Sequence, residues 1–236
     1  MRVLVVGGSG YVASQVLPIL AREHTLRVFD LRPPSDPSWE YHDGNIGDAQ
    51  ALIAAAAGMD ALLYMAMGDK NYTKLPGVVS NLDVNIKGVY LALYAAHQAG
   101  IAHAVYTSSM SVYGAPLLER YFPDEELTPD ATEIYGFSKR LGEEACRNAT
   151  REWGMSVNAL RLCFPTPESE WLAATHIGTP TIATTSGDVA RALLAALAYR
   201  GGFQAFMISG DYEQKIMNLA KAKRLLGWEP LARPTT

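Results

Sequence analysis

Near its amino terminus the chain reads Arg2-Val3-Leu4-Val5-Val6-Gly7-Gly8-Ser9-Gly10-Tyr11-Val12-Ala13. A short apolar run leads into a glycine-rich turn, and an amphipathic segment follows as far as about Glu23. A second apolar run, residues 25–29, ends on Asp30. This order predicts a β-strand, a tight turn, an α-helix and a second strand parallel to the first.

The glycines have the spacing of a turn that binds a dinucleotide. Gly7 lacks a Cβ atom and therefore permits a sharp turn with positive φ after the strand. Gly10 lets the backbone approach a pyrophosphate, and the small side chain of Ala13 permits close packing of the helix on the strand. The free N–H groups and positive dipole end of the helix would then face the phosphates.

Asp30 indicates which dinucleotide is preferred. A carboxylate at the end of the second strand can accept hydrogen bonds from both ribose hydroxyls, and it repels a 2′-phosphate. NAD is therefore favoured over NADP, although the nearby Arg32 moderates the preference. A glycine-rich turn without any ligand is the alternative, and the strand, helix and acid around the turn weigh against it.

The composition limits the class of protein. The 236 residues are 49% hydrophobic, which is ample for the core of one α/β domain. The net charge of −4, without a run of basic residues, argues against nucleic acid as a partner. No apolar segment approaches the ~20 residues of a membrane span, and the amino terminus does not read as a signal peptide. Cys146 and Cys163 lack metal-type spacing, so we expect no metal site and a reducing cytoplasm.

Beyond Asp30, apolar runs of strand length alternate with helical segments. We expect strands at residues 60–65, 102–107, 156–162 and 204–208, and helices at 48–57, 80–98, 134–153, 188–199 and 216–226. Residues 31–39, 69–77 and 164–186 read as loops, and Pro18 should kink or shorten the first helix. The alternation predicts an α/β fold with a doubly wound parallel sheet.

Three polar residues indicate where chemistry takes place. Tyr135 and Lys139 lie four residues apart near the start of a predicted helix, so they share one face. Ser109 follows a predicted strand. Tyr135 could take a proton from a substrate hydroxyl if a neighbouring ammonium and an oxidised nicotinamide lower its pKa, which is about 10 in a free tyrosine. Ser109 would hydrogen-bond the same oxygen, and Lys139 would hold a nicotinamide ribose; a solvated helix face is the alternative.

Several motifs in this chain resemble the extended short-chain dehydrogenase/reductase superfamily, in its NAD-dependent epimerase/dehydratase branch. The residues that carry the resemblance are Gly7-x-x-Gly10-x-x-Ala13, Asp30, Asn85, Ser108-Ser109-x-x-Val112-Tyr113-Gly114, Tyr135-x-x-x-Lys139, Asp188-Val189-Ala190 and Leu226-Gly227-Trp228-x-Pro230. They span nearly the whole chain in order. The resemblance implies a Rossmann-type sheet and catalysis by Ser109, Tyr135 and Lys139.

The resemblance also implies a binding site for NAD and a division of the chain. Its cofactor-contacting residues would be Gly7, Gly10, Tyr11, Val12, Asp30, Asn45, Ile46, Ala66, Met67, Tyr135, Lys139, Phe164 and Pro165. Residues 1–163 would form the NAD-binding Rossmann domain, and residues 164–236 a reduced substrate lobe interleaved with the last strands and helices in one compact unit. Members of the family usually pair the helices near residues 84–98 and 134–153 across a homodimer.

The substrate lobe is short for a nucleotide-sugar epimerase, and its length resembles that of uronate dehydrogenases. Residues 164–186 contain Glu168 and Glu170 and neither Lys nor Arg, which argues against a nucleotide diphosphate. Dehydratases of the family place an acidic pair where this chain has Met110 and Ser111, so elimination is disfavoured. We therefore expect hydride transfer at a carbinol or carbonyl of a small sugar or sugar acid. An epimerase that retains NAD and a non-catalytic NAD(P)-sensing regulatory protein are the alternatives.

Overall fold

A computed structural model describes residues 1–179 and 181–234 of the chain. The strands of these residues are β1 (Arg2–Val6), β2 (Thr25–Asp30), β3 (Glu40–Asp43), β4 (Ala61–Tyr64), β5 (His103–Ser109), β6 (Ser156–Leu162), β7 (Pro165–Thr166), β8 (Thr184–Thr185) and β9 (Phe203–Ile208). The helices are α1 (Tyr11–Leu20), α2 (Ala49–Ala56), α3 (Leu75–Leu82), α4 (Val89–Gln98), α5 (Ile134–Trp153), α6 (Glu168–Ala174), α7 (Ser186–Ala198) and α8 (Ala220–Leu226). Within this described part, no helix has the length and apolarity needed to cross a membrane. The predicted lobe 164–236 includes Pro180, Thr235 and Thr236, which lie outside the described residues.

Seven of these strands form a parallel sheet in the order β3-β2-β1-β4-β5-β6-β9. The order reverses between β1 and β4, and ligands of such sheets bind outside the carboxyl ends of the strands at this point. The remaining strands, β7 and β8, pair with each other and form a small lobe with α6 ahead of α7. The predicted fold class, a Rossmann-type doubly wound parallel sheet with a reduced lobe, is confirmed.

Each face of the sheet carries its own apolar core. Helices α1, α7 and α8 cover one face, where Leu193 is fully buried. Helices α2, α4 and α5 cover the other face, where Ala96 is fully buried. Along β1, Val5 contributes to the first core and Leu4 to the second. Strands that are buried on both faces need continuous apolar sequences, which is why β1 and β4 were readable from sequence.

Strand β3, which pairs with β2 at the edge of the sheet, was not predicted from the sequence. The residues of β3 are half-buried or exposed and lack an apolar alternation. Its first residue, Glu40, forms an ion pair with Arg27 of β2 at 2.8 Å. Pairing with a strand that is distant in sequence, and not a local pattern, therefore produces this element.

Two helix predictions need correction. The helix expected at residues 80–98 begins at Leu75 and reaches Gln98 through a π-helical segment, Asp83–Gly88. The helix expected at residues 216–226 begins at Ala220. Pro18 lies inside α1, which ends at Leu20, short of the expected end near Glu23, so the predicted shortening agrees with the structure.

The lobe ahead of α7, expected as a loop, is held by a tryptophan. Trp171 of α6 is 1% exposed, and its indole N–H donates a hydrogen bond to Ala183 O at 2.7 Å. A single buried aromatic residue gives no periodic pattern in the sequence, so α6 could not be recognised from it.

A buried ion pair links α5 to β6 behind the cleft. Arg161 donates from Nε and Nη2 to the two carboxylate oxygens of Glu143 at 2.9 and 2.8 Å, and the two side chains are 0% and 2% exposed. Ser108 Oγ donates to the same carboxylate at 2.7 Å, and Arg161 Nη1 donates to Tyr113 Oη at 2.6 Å. The hydrogen bonds to the pair offset the cost of removing two charges from water.

We expect Glu143→Gln to lower the free energy of unfolding by ~3–5 kcal/mol, because it leaves the Arg161 charge buried without its counterion. Urea denaturation at neutral pH measures the change. The control is Glu144→Gln, which removes an exposed carboxylate from the next residue of α5 and should cost at most ~1 kcal/mol. Equal effects of the two substitutions would contradict this account.

Candidate functional site

A cleft of about 1030 Å³ opens at the carboxyl ends of the strands, a volume at the upper end of the usual range for ligand sites. The predicted site residues that line it are Gly7, Gly10, Tyr11, Val12, Asp30, Ile46, Ala66, Met67, Ser109, Tyr135, Lys139, Phe164 and Pro165. Asn45 is not part of this lining. Its side-chain oxygen accepts a hydrogen bond from Gly47 N at 2.8 Å, so it shapes the turn that carries Ile46.

Gly7 lines the cleft and lets the turn after β1 pass close to the end of β4. Its φ is 83°, and a Cβ atom at this position would lie 2.3 Å from the backbone nitrogen of Ala66. Only glycine therefore allows the turn after β1 to pass beside the end of β4. Gly7 N also donates to Phe29 O at 2.9 Å, which ties the turn to β2.

The amino end of α1 faces the cleft. Gly10 is its N-cap residue, no described side chain caps the helix, and its first turn contains no acid. Tyr11 and Val12 follow and line the cleft. The N–H groups of a first helical turn lack partners within the helix, so they suit an anion such as a pyrophosphate.

Asp30 lies at the end of β2, across the turn from α1. One carboxylate oxygen accepts a hydrogen bond from Ser9 N at 3.0 Å and the other from Arg32 N at 3.1 Å. Each carboxylate oxygen can accept a further hydrogen bond, so the oriented group suits the two hydroxyls of a ribose. The arrangement fits the adenosine half of NAD.

The carboxyl end of β5 and the amino end of α5 meet at the other end of the cleft. Glu133 caps α5 by accepting hydrogen bonds from Tyr135 N at 2.8 Å and Gly136 N at 2.5 Å. A Cβ atom on Gly136 would lie 1.9 Å from Ser111 O, so this glycine lets the helix approach the loop after β5. The close approach brings Tyr135 to Ser109.

Lys139 is buried in the same place, with 2% of its surface exposed. Its Nζ donates to Thr107 O at 2.9 Å and lies 6.0 Å from the centroid of the Tyr135 ring. Burial lowers the pKa of Lys139 to about 7, while Cys146 and Glu143 act in the opposite direction. The lysine therefore changes charge near neutral pH.

The pKa of Tyr135 is shifted in the opposite direction to the sequence expectation. Burial raises the pKa of Tyr135 to about 12, a hydrogen bond with Ser109 lowers it, and Tyr72 and Glu133 raise it further. Sequence spacing indicated the neighbouring ammonium but contained no measure of how deeply the phenol is buried. Desolvation of the phenolate outweighs the favourable contact in this fold.

The lip of the cleft has a strained backbone at Phe164. This residue is 61% exposed and has a φ of 41°, in the left-handed region that a bulky side chain rarely adopts. Thr166 Oγ1 and Thr184 N donate to its carbonyl oxygen at 2.7 and 3.2 Å. The two hydrogen bonds hold the strained residue at the cleft, as is common at functional sites.

Tyr72 is one of the lining residues that were not predicted from the sequence. Its ring stacks on Tyr135, with 5.3 Å between ring centroids and an interplanar angle of 22°. The preceding Lys70 also lines the cleft, with Nζ 5.5 Å from the centroid of the Tyr11 ring. Their place in the sequence could have indicated these two residues. The loop at 69–77 follows the carboxyl end of β4, where ligands of such sheets bind.

Comparisons with known proteins show what this chain is similar to. Among curated relatives, uncharacterized protein y4nG of Sinorhizobium fredii is 35% identical over 165 residues, covering 67% of this chain and 39% of that protein. N-acetyl-alpha-D-glucosaminyl-diphospho-ditrans,octacis-undecaprenol 4-epimerase of Escherichia coli O157:H7 is 30% identical over 151 residues, covering 64% and 43%. The chain thus spans less than half the length of these two relatives.

A solved structure of a mutated uronate dehydrogenase superposes with a TM-score of 0.83 at 20% identity, covering 98% of this chain and 82% of that one. At this identity the likeness shows the fold. The model of the family described as "NAD dependent epimerase/dehydratase family" matches residues 3–169. That match exceeds half of the chain and includes the glycine turn, Asp30 and the Ser109, Tyr135 and Lys139 group. The resemblance found in the sequence is therefore confirmed, and the chain belongs to the NAD dependent epimerase/dehydratase family.

Proposed function

We propose that this protein is an NAD-dependent oxidoreductase that acts on a carbinol or carbonyl carbon of a small sugar or sugar acid. The observation that carries the proposal is the convergence of Ser109, Tyr135 and Lys139 at one end of a cleft whose other end holds the glycine turn and Asp30. The NAD dependence of the family supports it.

The described residues fit NAD along the whole cleft. The uncapped first turn of α1 would hold the pyrophosphate, and Asp30 the hydroxyls of the adenine ribose. Ile46 would lie by the adenine and Phe164 by the nicotinamide, with Ala66, Met67 and Pro165 completing the walls. When bound, NAD supplies a hydride acceptor or donor.

In this proposal, side chains of the protein donate and accept the proton of the reaction. Tyr135 exchanges a proton with the reacting oxygen of the substrate, and Ser109 holds that oxygen by a hydrogen bond. With a pKa of about 12, Tyr135 is protonated at neutral pH and ready to donate to a carbonyl oxygen. Taking up a proton from an alcohol requires the phenolate, which the protonated form of Lys139 favours.

The substrate end of the cleft suits a small molecule without a diphosphate. Residues 164–186 contain no Lys or Arg. In that segment Glu168 accepts hydrogen bonds from Ser186 Oγ at 3.2 Å and Gly187 N at 3.3 Å, so this carboxylate supports the start of α7. We propose that the lobe within residues 164–236 closes on a sugar or sugar acid, a class that the fold of uronate dehydrogenase accommodates.

An epimerase that retains its NAD is the second candidate, because one relative is named as a 4-epimerase. Both candidates use Tyr135 in the same way. They differ in whether the hydride leaves the protein with the cofactor or returns to the substrate. A regulatory protein that senses NAD(P) is a third possibility, in which Tyr135 has no chemical role.

We expect Tyr135→Phe to abolish turnover and to leave NAD affinity within about 3-fold of the wild type, because the phenol oxygen carries the proton while the ring keeps its packing. NADH absorbance with a panel of sugars and uronic acids measures turnover, and calorimetry measures NAD binding. Turnover that survives Tyr135→Phe would refute the mechanism.

The nucleotide content of purified, acid-denatured protein separates the candidates. Near-equimolar NAD would support the epimerase. Empty protein that binds added NAD reversibly and reduces it with a sugar would support the dehydrogenase. Reversible binding without turnover of any sugar on the panel would support the sensing protein.

We also expect the free energy of unfolding to rise with pH through Lys139. Its pKa of about 7 in the folded protein lies below that of an unfolded lysine, about 10.4, so between these values the unfolded chain binds more protons. Raising the pH from 7 to 9 should stabilise the wild type by about 2 kcal/mol more than it stabilises Lys139→Met. Urea denaturation at the two pH values tests this, and parallel pH profiles would contradict it.

We propose a homodimer formed through α3, α4 and α5. These helices expose large apolar side chains, namely Leu75, Val79, Leu82, Tyr90, Tyr94, Phe137 and Leu141. Such a surface is typical of an interface between copies. Sedimentation velocity should show a dimer for the wild type and a monomer for Tyr94→Glu, whereas a monomeric wild type at micromolar concentration would refute this arrangement.

A further inference from the structure

We propose that Tyr72 is a positioning residue for Tyr135: its ring covers the ring of the proposed general acid–base and keeps it in place and away from water. The inference rests on the proposed function for the meaning of Tyr135, although the contact itself does not depend on it. We refer to residues 68–74, which carry Tyr72, as the strap.

The stack between the two tyrosines is the first observation. Their ring centroids lie 5.3 Å apart with an interplanar angle of 22°, which is an offset parallel contact. Tyr72 is itself half-buried, and burial raises its pKa. Its ring therefore covers a face of Tyr135 that solvent would otherwise reach.

The strap is held in position by polar side chains of the helix that follows it. Ser80 Oγ accepts a hydrogen bond from Asp69 N at 3.0 Å, and Asn81 Nδ2 donates to Asp69 O at 2.9 Å. Asn85, in the π-helical segment, accepts from Gly68 N at 3.2 Å. The base of the strap is thus anchored at two consecutive residues, which limits where Tyr72 can lie.

The same network reaches the helix that carries Tyr135. Asn85 Nδ2 donates to Ser138 Oγ at 2.9 Å, and Ser138 Oγ donates to Tyr135 O at 2.8 Å. Asn85 is 0% exposed, so these hydrogen bonds are shielded from water. The side-chain amide of Asn85 therefore connects, through hydrogen bonds, the strap that carries Tyr72 and the helix that carries Tyr135.

The strap also makes contact at the cofactor end of the cleft. Lys70 lies over the ring of Tyr11, the first residue of α1, with Nζ 5.5 Å from the centroid. Within three residues the strap thus touches both ends of the cleft. Tyr72 is the part of it that acts on the proposed chemistry, because it alone among these contacts meets Tyr135.

Removing the ring of Tyr72 should expose Tyr135 to water and lower its pKa, since burial is the main cause that raises that pKa. Tetranitromethane nitrates tyrosine as the phenolate, so its reaction with Tyr135 reports both changes without substrate or NAD. One tryptic peptide, which follows Arg120 and ends at Lys139, carries Tyr135 together with Tyr121. Tyr121 is 55% exposed and serves as the internal reference.

We expect Tyr72→Ala to speed nitration of Tyr135 about 2- to 13-fold relative to Tyr121, the factor that corresponds to the ~0.5–1.5 kcal/mol of an aromatic pair. The pH profile of Tyr135 nitration should move to lower pH. Tyr72→Phe keeps the ring and should behave as the wild type. Thr73→Ala, which changes the next residue of the strap without removing an aromatic ring, should do the same.

Unchanged nitration of Tyr135 in Tyr72→Ala would overturn the proposal, and so would an equal increase in Tyr72→Phe or Thr73→Ala. If Tyr72→Ala fails to fold by circular dichroism, Tyr72→Leu replaces it with the same expected result. Turnover that persists in the Tyr135→Phe variant would refute the proposed function. The nitration rates would still decide whether Tyr72 positions Tyr135.

Discussion

The contact between the backbones at Gly7 and Ala66 is the constraint on which the cleft depends. With 2.3 Å between an added Cβ atom and Ala66 N, a side chain at Gly7 would force β1 and β4 apart at the point where the strand order reverses. The same turn is bonded to β2 through Phe29 O, and Ser9 N bonds the carboxylate of Asp30. One close approach therefore sets the positions of the first helix and of the acid together.

A second close approach, between Gly136 and Ser111 O, builds the other end of the cleft. It brings α5 against the end of β5, where Tyr135 is half-buried and Lys139 is buried. Burial favours the neutral form of each, with a pKa of about 12 for the tyrosine and about 7 for the lysine. The pKa of a buried group therefore depends strongly on nearby charges. For Lys139 one such charge is Glu143, which raises the lysine pKa and is itself paired with Arg161.

The site residues that were predicted from the sequence share one property, which is that their patterns are local. The glycine turn, Asp30 and the spacing of Tyr135 and Lys139 each lie within a short window, and the periodicity of a strand or helix fixes their relation. The helix 134–153 and the strand 156–162 were predicted with the bounds that the structure has. Asn45 was also predicted at the cofactor; its side-chain oxygen accepts a hydrogen bond from Gly47 N, and its contact with the adenine stays a prediction.

The amino-acid pattern alone was enough for the βαβ unit and the parallel sheet, since both depend on local spacing and on apolar runs that require burial. The motifs along the chain were enough for the family, and the resemblance to it implied the three residues proposed for catalysis. The tertiary structure alone revealed the edge strand β3, the stacking of Tyr72 on Tyr135 and the direction in which the pKa of Tyr135 is shifted. These features arise from contacts between residues far apart in the chain. Desolvation and stacking depend on distance in space, which the linear order of residues does not contain.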